Sequence, residues 1–210
     1  MSPGLWVDPK LRAVAEAAKG FMPSDEGMAL YESGVQAGAR GPLLEIGTYC
    51  GKSAVYLGAA ARVSGTVVFT VDHHRGSEEI QPGWEHHDPD LIDPATGRMD
   101  SLPFFRRTIA EAELEDVVIG IVGDSTTLAA HWHIPLGLVF IDGAHSEALA
   151  MADYDAWAPK IVPGGLLVVH DVYEDPADGG LGPFLAYERA RSEGFIEHAS
   201  TGSLRALRRG

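Results

Sequence analysis

Cysteine is nearly missing from this chain: Cys50 is the sole example in 210 residues. One thiol cannot close an internal disulfide or build a thiolate zinc centre, so a disulfide scaffold and a zinc ribbon are both excluded. Positive charge is scarce, with 16 Lys and Arg against 30 Asp and Glu and a formal net charge of −14. Nucleic-acid binding draws on Lys and Arg neutralising phosphates, so no nucleic-acid partner is expected, nor an anionic membrane surface. No apolar run approaches the roughly 20 residues of a membrane span, and the start, MSPGLWVDPK, lacks a signal-peptide core. A soluble cytoplasmic protein with no membrane partner is expected. Repeats and linkers are also absent. With 45% hydrophobic and 22% charged residues, the chain suits one globular domain over 1–210 with a substantial core.

What is present is alternation. The first forty residues predict two helices, roughly Pro9 to Lys19 and Asp25 to Ala39, with Ser24 as N-cap and Gly41-Pro42 closing the second. Apolar strand-like runs follow at Leu43–Ile46, Val67–Val71, Val117–Val122, Leu136–Ile141 and Leu166–His170. Helices are predicted to begin near Lys52, Leu102, Ser125 and Ser146; in the last, Leu149, Ala152 and Ala156 take the apolar spacing and Asp153 and Asp155 the polar side. Such alternation predicts an α/β fold, a parallel sheet with helices on both faces. After a helix near Phe184–Arg191, the runs Phe195–Ala199 and Ser203–Leu207, joined at Thr201-Gly202, predict an antiparallel hairpin at one edge. The stretch 73–102 has little periodicity and far exceeds the usual connection of about 4–6 residues. It carries Trp84, His86, His87 and several acids. Because it leaves the carboxyl end of a strand, it is read as a substrate-covering loop, with Trp84 a candidate to stack on a sugar face.

The segment LLEIGTYCGKS, Leu43 to Ser53, is a strand, a glycine-bracketed turn and a helix start. Backbone can approach a ligand at such a turn, and N–H groups at the helix start face it. The dinucleotide fingerprint needs glycine where Tyr49 stands. A P-loop needs one more residue between Gly47 and Gly51, yet Lys52-Ser53 and the later VFID run imitate one, so an NTPase stays a rival. The third reading, E-x-G-x-x-x-G with Glu45, resembles motif I of class I S-adenosylmethionine-dependent methyltransferases. It makes Glu45, Gly47, Tyr49, Gly51 and Ser53 candidate cofactor-binding residues.

Acids recur at strand ends. Asp72 ends the second strand, where a carboxylate can accept both ribose hydroxyls. Asp124 and Ser125, in IVGDS, match the pattern's adenine position and also suit a helix N-cap. Asp142 and Asp171 end the fourth and fifth strands. Neighbouring strands lie about 4.8 Å apart, so the two carboxylates can share a hard cation, Mg²⁺ or Mn²⁺. His145, three residues past Asp142, can take a proton from a substrate hydroxyl. Strand alternation turns His170 to the opposite face, as a core residue or a support near the substrate. His73 and His74 are candidate pocket-lining residues.

LEIGTYCGKS, FTVDHH, IVGDS, FIDGAHS, W-x-P-x-x-x-PGG and HDVY follow in one order from about Leu43 to Tyr173. In that order and spacing the chain resembles bacterial metal-dependent O-methyltransferases of the macrocin type. It also looks like actinobacterial enzymes that methylate mannose in polymethylated polysaccharides. The resemblance implies a Rossmann-like class I methyltransferase fold, S-adenosyl-L-methionine as donor and a divalent cation beside the acceptor oxygen. It places Asp142 and Asp171 at metal-ligand positions and His145 at that of the general base. The implied acceptor is a small-molecule or oligosaccharide hydroxyl, with catechols the alternative, and a homodimer is implied. One departure matters: relatives place Asp or Asn after the second metal Asp, where this chain has Val172.

Overall fold

The computed structural model describes residues 8–77, 87–143, 145–173, 175 and 180–210. Helices α1 (Pro9–Ala17) and α2 (Ser24–Gly38) precede the sheet. Ser24 is the first residue of α2 and not its cap: Pro23 holds that place, and the Ser24 hydroxyl donates to Glu16 Oε1 at 3.0 Å. Then come β1 (Leu43–Ile46), α3 (Lys52–Ser64), β2 (Val68–Asp72), β3 (Ile92–Asp93) and β4 (Arg98–Met99). They are followed by α4 (Leu102–Glu111), β5 (Val118–Val122), α5 (Ser125–Ala129), β6 (Leu136–Ile141) and α6 (Glu147–Trp157). The chain ends with β7 (Ile161–Val169), α7 (Leu181–Ser192), β8 (Phe195–Thr201) and β9 (Leu204–Arg209).

Seven strands form one sheet in the order β5-β2-β1-β6-β7-β9-β8. The first five are parallel, while β9 runs antiparallel to β7 and β8 antiparallel to β9. The expected Rossmann-like architecture with a C-terminal hairpin is therefore the observed one. β7 starts earlier than expected, at Ile161.

Alternation along the strands builds two cores. Leu43, Leu138, Phe140, Leu166 and Val168 pack under α1 to α4, and Leu44, Ile46, Val139, Ile141, Leu167 and Val169 pack under α5 to α7. Both faces are sealed, which is why the parallel strands read as continuous apolar runs. Only the strand ends can then present chemistry. The order reverses at β1, with β2 on one side and β6 on the other, so the carboxyl ends of five strands open at a switch point.

The stretch 73–102 is less irregular than expected. Among its described residues, β3 and β4 pair, and Leu91 and Met99 join Cys50 in a third small core packed by Tyr49, Ile92 and Phe104. No helix among the described residues is long and apolar enough to cross a membrane.

Candidate active site

The turn after β1 is tight because it lies against the next strand end. A Cβ on Gly47 (φ +91°) would stand 2.1 Å from the Asp142 carbonyl oxygen, so only glycine lets the turn approach β6. Tyr49 itself holds φ +48°, a left-handed conformation. Asp72 secures the turn: its Oδ2 accepts from the Thr48 N–H at 3.0 Å and the Tyr49 N–H at 2.8 Å, and Oδ1 accepts from His74 N–H at 2.7 Å. Glu45 lies beneath, fully buried, with Oε2 accepting from Thr70 Oγ1 at 2.5 Å and Oε1 finding no partner among the described residues. Burial pushes its pKa up to about 7, although Ser53 and Thr70 donate to it.

Asp124 caps α5, its Oδ1 accepting from Thr127 N–H at 2.7 Å and Thr126 Oγ1 at 2.8 Å, and these bonds hold its carboxyl below the ordinary value. Ser125 donates its hydroxyl to Asp153 Oδ1. Here the reading of α6 is corrected: Ala150, Asp153, Tyr154 and Trp157 face inward and Leu149 is exposed. Helical spacing suggested the other face because an acid was assumed to seek water. Burial pushes Asp153 up to about 6.

Asp142 and Asp171 meet where β6 and β7 end side by side. His145 Nε2 lies 3.0 Å from Asp171 Oδ2. Asp171 adopts φ +57°, a backbone strain that recurs at functional sites. His170 does point to the far face, as alternation predicted, yet its ring bridges the two layers. Nδ1 lies 3.1 Å from Asp142 Oδ1 and 3.3 Å from Asp171 Oδ2, and Nε2 lies 2.5 Å from Glu26 Oε2. Burial disfavours charge on His170, but the three carboxylates outweigh it and hold its pKa well above the imidazole range. Burial likewise opposes charge on Asp171 and Asp142. Donors from His145 and His170 bring Asp171 well below its usual value, whereas burial wins at Asp142 and raises it. Asp142, His170 and Asp171 each present a ligand atom, all within 4.8 Å of one another.

One cavity of about 750 Å³ joins these parts, within the range of small-molecule sites. Gly47, Tyr49, Ser53, Asp72, Asp124, Ser125, Asp142, His145, His170 and Asp171 all line it. Glu45 and Gly51 do not; they shape the turn from behind. His73 lines it as expected, whereas His74 is buried with Nδ1 at 2.8 Å from Ser101 Oγ. Trp84 lies outside the described residues. Lys52, the P-loop mimic, directs Nζ at the carbonyl oxygens of Ala18 (3.1 Å) and Glu16 (3.3 Å), closing the end of α1. Lys19, unnoticed in the sequence, bonds Asp88 Oδ2 at 2.5 Å and Asp90 Oδ2 at 2.9 Å, tying the α1–α2 connection to the 73–102 stretch. Asp153, Glu26 and Lys19 carry no motif; each matters through a partner far off in sequence.

A family model described as a methyltransferase domain matches residues 44–172, more than half the chain. The chain belongs to that methyltransferase family. Among solved structures it is similar to the O-methyltransferase from Bacillus cereus in complex with SAH, at 20% identity and TM-score 0.64 over 98% of this chain and 93% of that one. It is similar to the O-methyltransferase TomG from Streptomyces achromogenes, involved in tomaymycin synthesis and solved with SAM, at 19% identity and TM-score 0.64, covering 97% and 91%. Cofactor-bound Rv0187 from MTB matches at 21% identity and TM-score 0.63, covering 95% and 86%.

Proposed function

We propose that the chain transfers a methyl group from S-adenosylmethionine to a sugar hydroxyl, a mannoside or oligomannoside of polymethylated polysaccharide synthesis, with a divalent cation beside the acceptor and His145 as general base. One observation carries this reading. A single cavity is lined at one part by the motif turn, Asp72, Asp124 and Ser125, and at another by Asp142, Asp171 and His145. The similar structures solved with SAM and SAH support the donor.

Asp72 keeps acceptor capacity for one ribose hydroxyl, at Oδ1, since three of its four lone pairs take backbone N–H donors. The two strand-end carboxylates, each with an oxygen within 4.8 Å of the other's, suit a hard cation. When bound, such a cation lowers the pKa of a coordinated hydroxyl, and the sulfonium donor supplies an electrophilic methyl. His145, whose Nε2 lies 3.0 Å from Asp171 Oδ2, stands in the cavity wall as the imidazole that takes the hydroxyl proton. The cavity walls hold the acceptor oxygen in attack position.

The charge of the lining supports a neutral, polyhydroxylated acceptor. Its lysines are engaged, Lys19 with two carboxylates and Lys52 with two carbonyls, while acids predominate elsewhere. A phosphorylated acceptor would meet repulsion there. The test is transfer of isotopically labelled methyl from S-adenosylmethionine, with Mg²⁺, to a panel of mannosides, catechols and other alcohols, alongside calorimetry with S-adenosylhomocysteine and ATP. Labelled mannoside and S-adenosylhomocysteine binding are expected. Transfer to catechols alone would refute the sugar assignment, and binding of ATP in place of S-adenosylhomocysteine would refute the donor.

A further inference from the structure

We infer that Glu26, on the buried side of α2, is a positioning residue that makes His170 the third protein ligand of the cation held by Asp142 and Asp171. The inference rests on the metal-assisted reading above and completes its ligand set. The residue after Asp171, Val172, is apolar and buried, so it offers the cation nothing. Two carboxylates alone leave most of an octahedral shell to water and substrate.

His170 fills the gap by geometry. As the residue following β7 on the α2 side of the sheet, it reaches Glu26 with Nε2 and the two aspartates with Nδ1. With Nε2–H donated to Glu26, the Nδ1 lone pair faces two carboxylate oxygens, which is repulsive unless a proton or a metal ion lies between them. Two neighbouring ligands of an octahedral ion, each about 2.1 Å from it, stand about 3.0 Å apart. The Nδ1 separations of 3.1 Å and 3.3 Å match that edge. A carboxylate that accepts the second N–H of a metal-bound histidine fixes both its tautomer and its ring orientation.

Glu26 is built for this task. Its side chain and that of His170 are each 5% exposed. Its second oxygen accepts from the Ser203 N–H at 2.5 Å and the Ser203 hydroxyl at 3.1 Å, so the buried carboxylate is satisfied from both sides. The first turn of α2, where Glu26 lies, also favours negative charge. An imidazole in the set shifts preference from Mg²⁺ toward Mn²⁺ and its neighbours, which accept nitrogen more readily.

Mn²⁺ is the probe. Pulsed electron paramagnetic resonance of the Mn²⁺-loaded wild-type protein is expected to show one directly coordinated ¹⁴N. His145→Ala should keep that coupling and His170→Ala should remove it. Glu26→Gln can turn its amide to His170 Nε2, which moves the ring hydrogen to Nδ1 and blocks ligation; Mn²⁺ affinity should fall about 10- to 100-fold. Mn²⁺ bound tightly without nitrogen coupling, or coupling lost with His145 instead, would overturn the inference while leaving the metal-assisted reading intact. Absence of Mn²⁺ binding would overturn both. Should His170→Ala fail to fold, the wild-type spectrum and the Glu26→Gln affinity decide.

Discussion

Glu45 keeps a carboxylate where water does not reach, and that has a measurable consequence. Its pKa lies at about 7 in the folded chain against 4.5 ordinarily, chiefly through burial. Between those values the folded state holds a proton that the unfolded state has released, so stability falls as pH rises through this window and levels off above it. The full effect is about 3 kcal/mol. Glu45→Gln mimics the protonated acid, so urea unfolding of this variant should lose that pH dependence and show a higher midpoint than wild type at pH 8. An unchanged slope from pH 4.5 to 7 would show that Glu45 ionises without strain. His145 calls for a different measurement. His145→Ala should lower kcat by about 10²–10⁴-fold, the range for a lost general base, while S-adenosylhomocysteine still binds. A kcat near wild type would remove His145 from that role. Side chains of this kind were legible in the sequence because they sit at fixed offsets from a turn or a strand end. Asp153 and Glu26 were not, since a buried acid is recognisable only with its partner, and those partners, Ser125 and His170, lie far away in the chain.

The elements were easier to read than their faces. Periodicity located α6 but chose its exposed side wrongly, because the Ser125 hydroxyl lets Asp153 take an interior position. Strands β3 and β4, two residues each, are too short to leave a period in the sequence. Together with Leu91 they clamp the motif turn through Cys50 and Tyr49, and Lys19 locks this ribbon to the α1–α2 connection. The connection and the turn also touch through Phe21 and Tyr49, whose ring centroids lie 5.9 Å apart. Both segments line the cavity, so loosening their contact should ease the escape of a ligand held there. Partly exposed ion pairs contribute about 0.5–1 kcal/mol and are screened by salt, which makes the expected change in rate modest. Lys19→Ala should speed S-adenosylhomocysteine release about two- to five-fold in stopped-flow measurements at low salt, and the difference should vanish at 0.5 M NaCl. Equal release rates for both proteins at low salt would mean the latch does not gate the cavity.

Across the whole molecule, the parallel sheet follows from alternating apolar runs, and the structure's strand order then gathers Asp72, Asp142 and Asp171 at one rim. What alternation could not convey is that this rim is braced from both ends of the chain. Glu26 comes from the second helix and Ser203 from the last hairpin, and they meet under His170. The hairpin turn must pass close to do this: a Cβ on Gly202, at φ +53°, would stand 2.1 Å from Glu26 Oε1. Gly202→Ala should therefore displace the Glu26 carboxylate and release the ring of His170, although Gly202 is itself no ligand. Gly194 supplies the control, for it also has a positive φ (+95°) but nothing within 4 Å of its would-be Cβ. Both alanines impose backbone strain of about 1–2 kcal/mol. Only the one at 202 should reach the proposed metal site, lowering Mn²⁺ affinity about 10-fold or more, as expected if His170 is a ligand whose partner is disturbed. Titration of Mn²⁺ into each variant by electron paramagnetic resonance separates the two effects. Equal affinities in the two variants would mean that the hairpin closes the sheet without bracing the site.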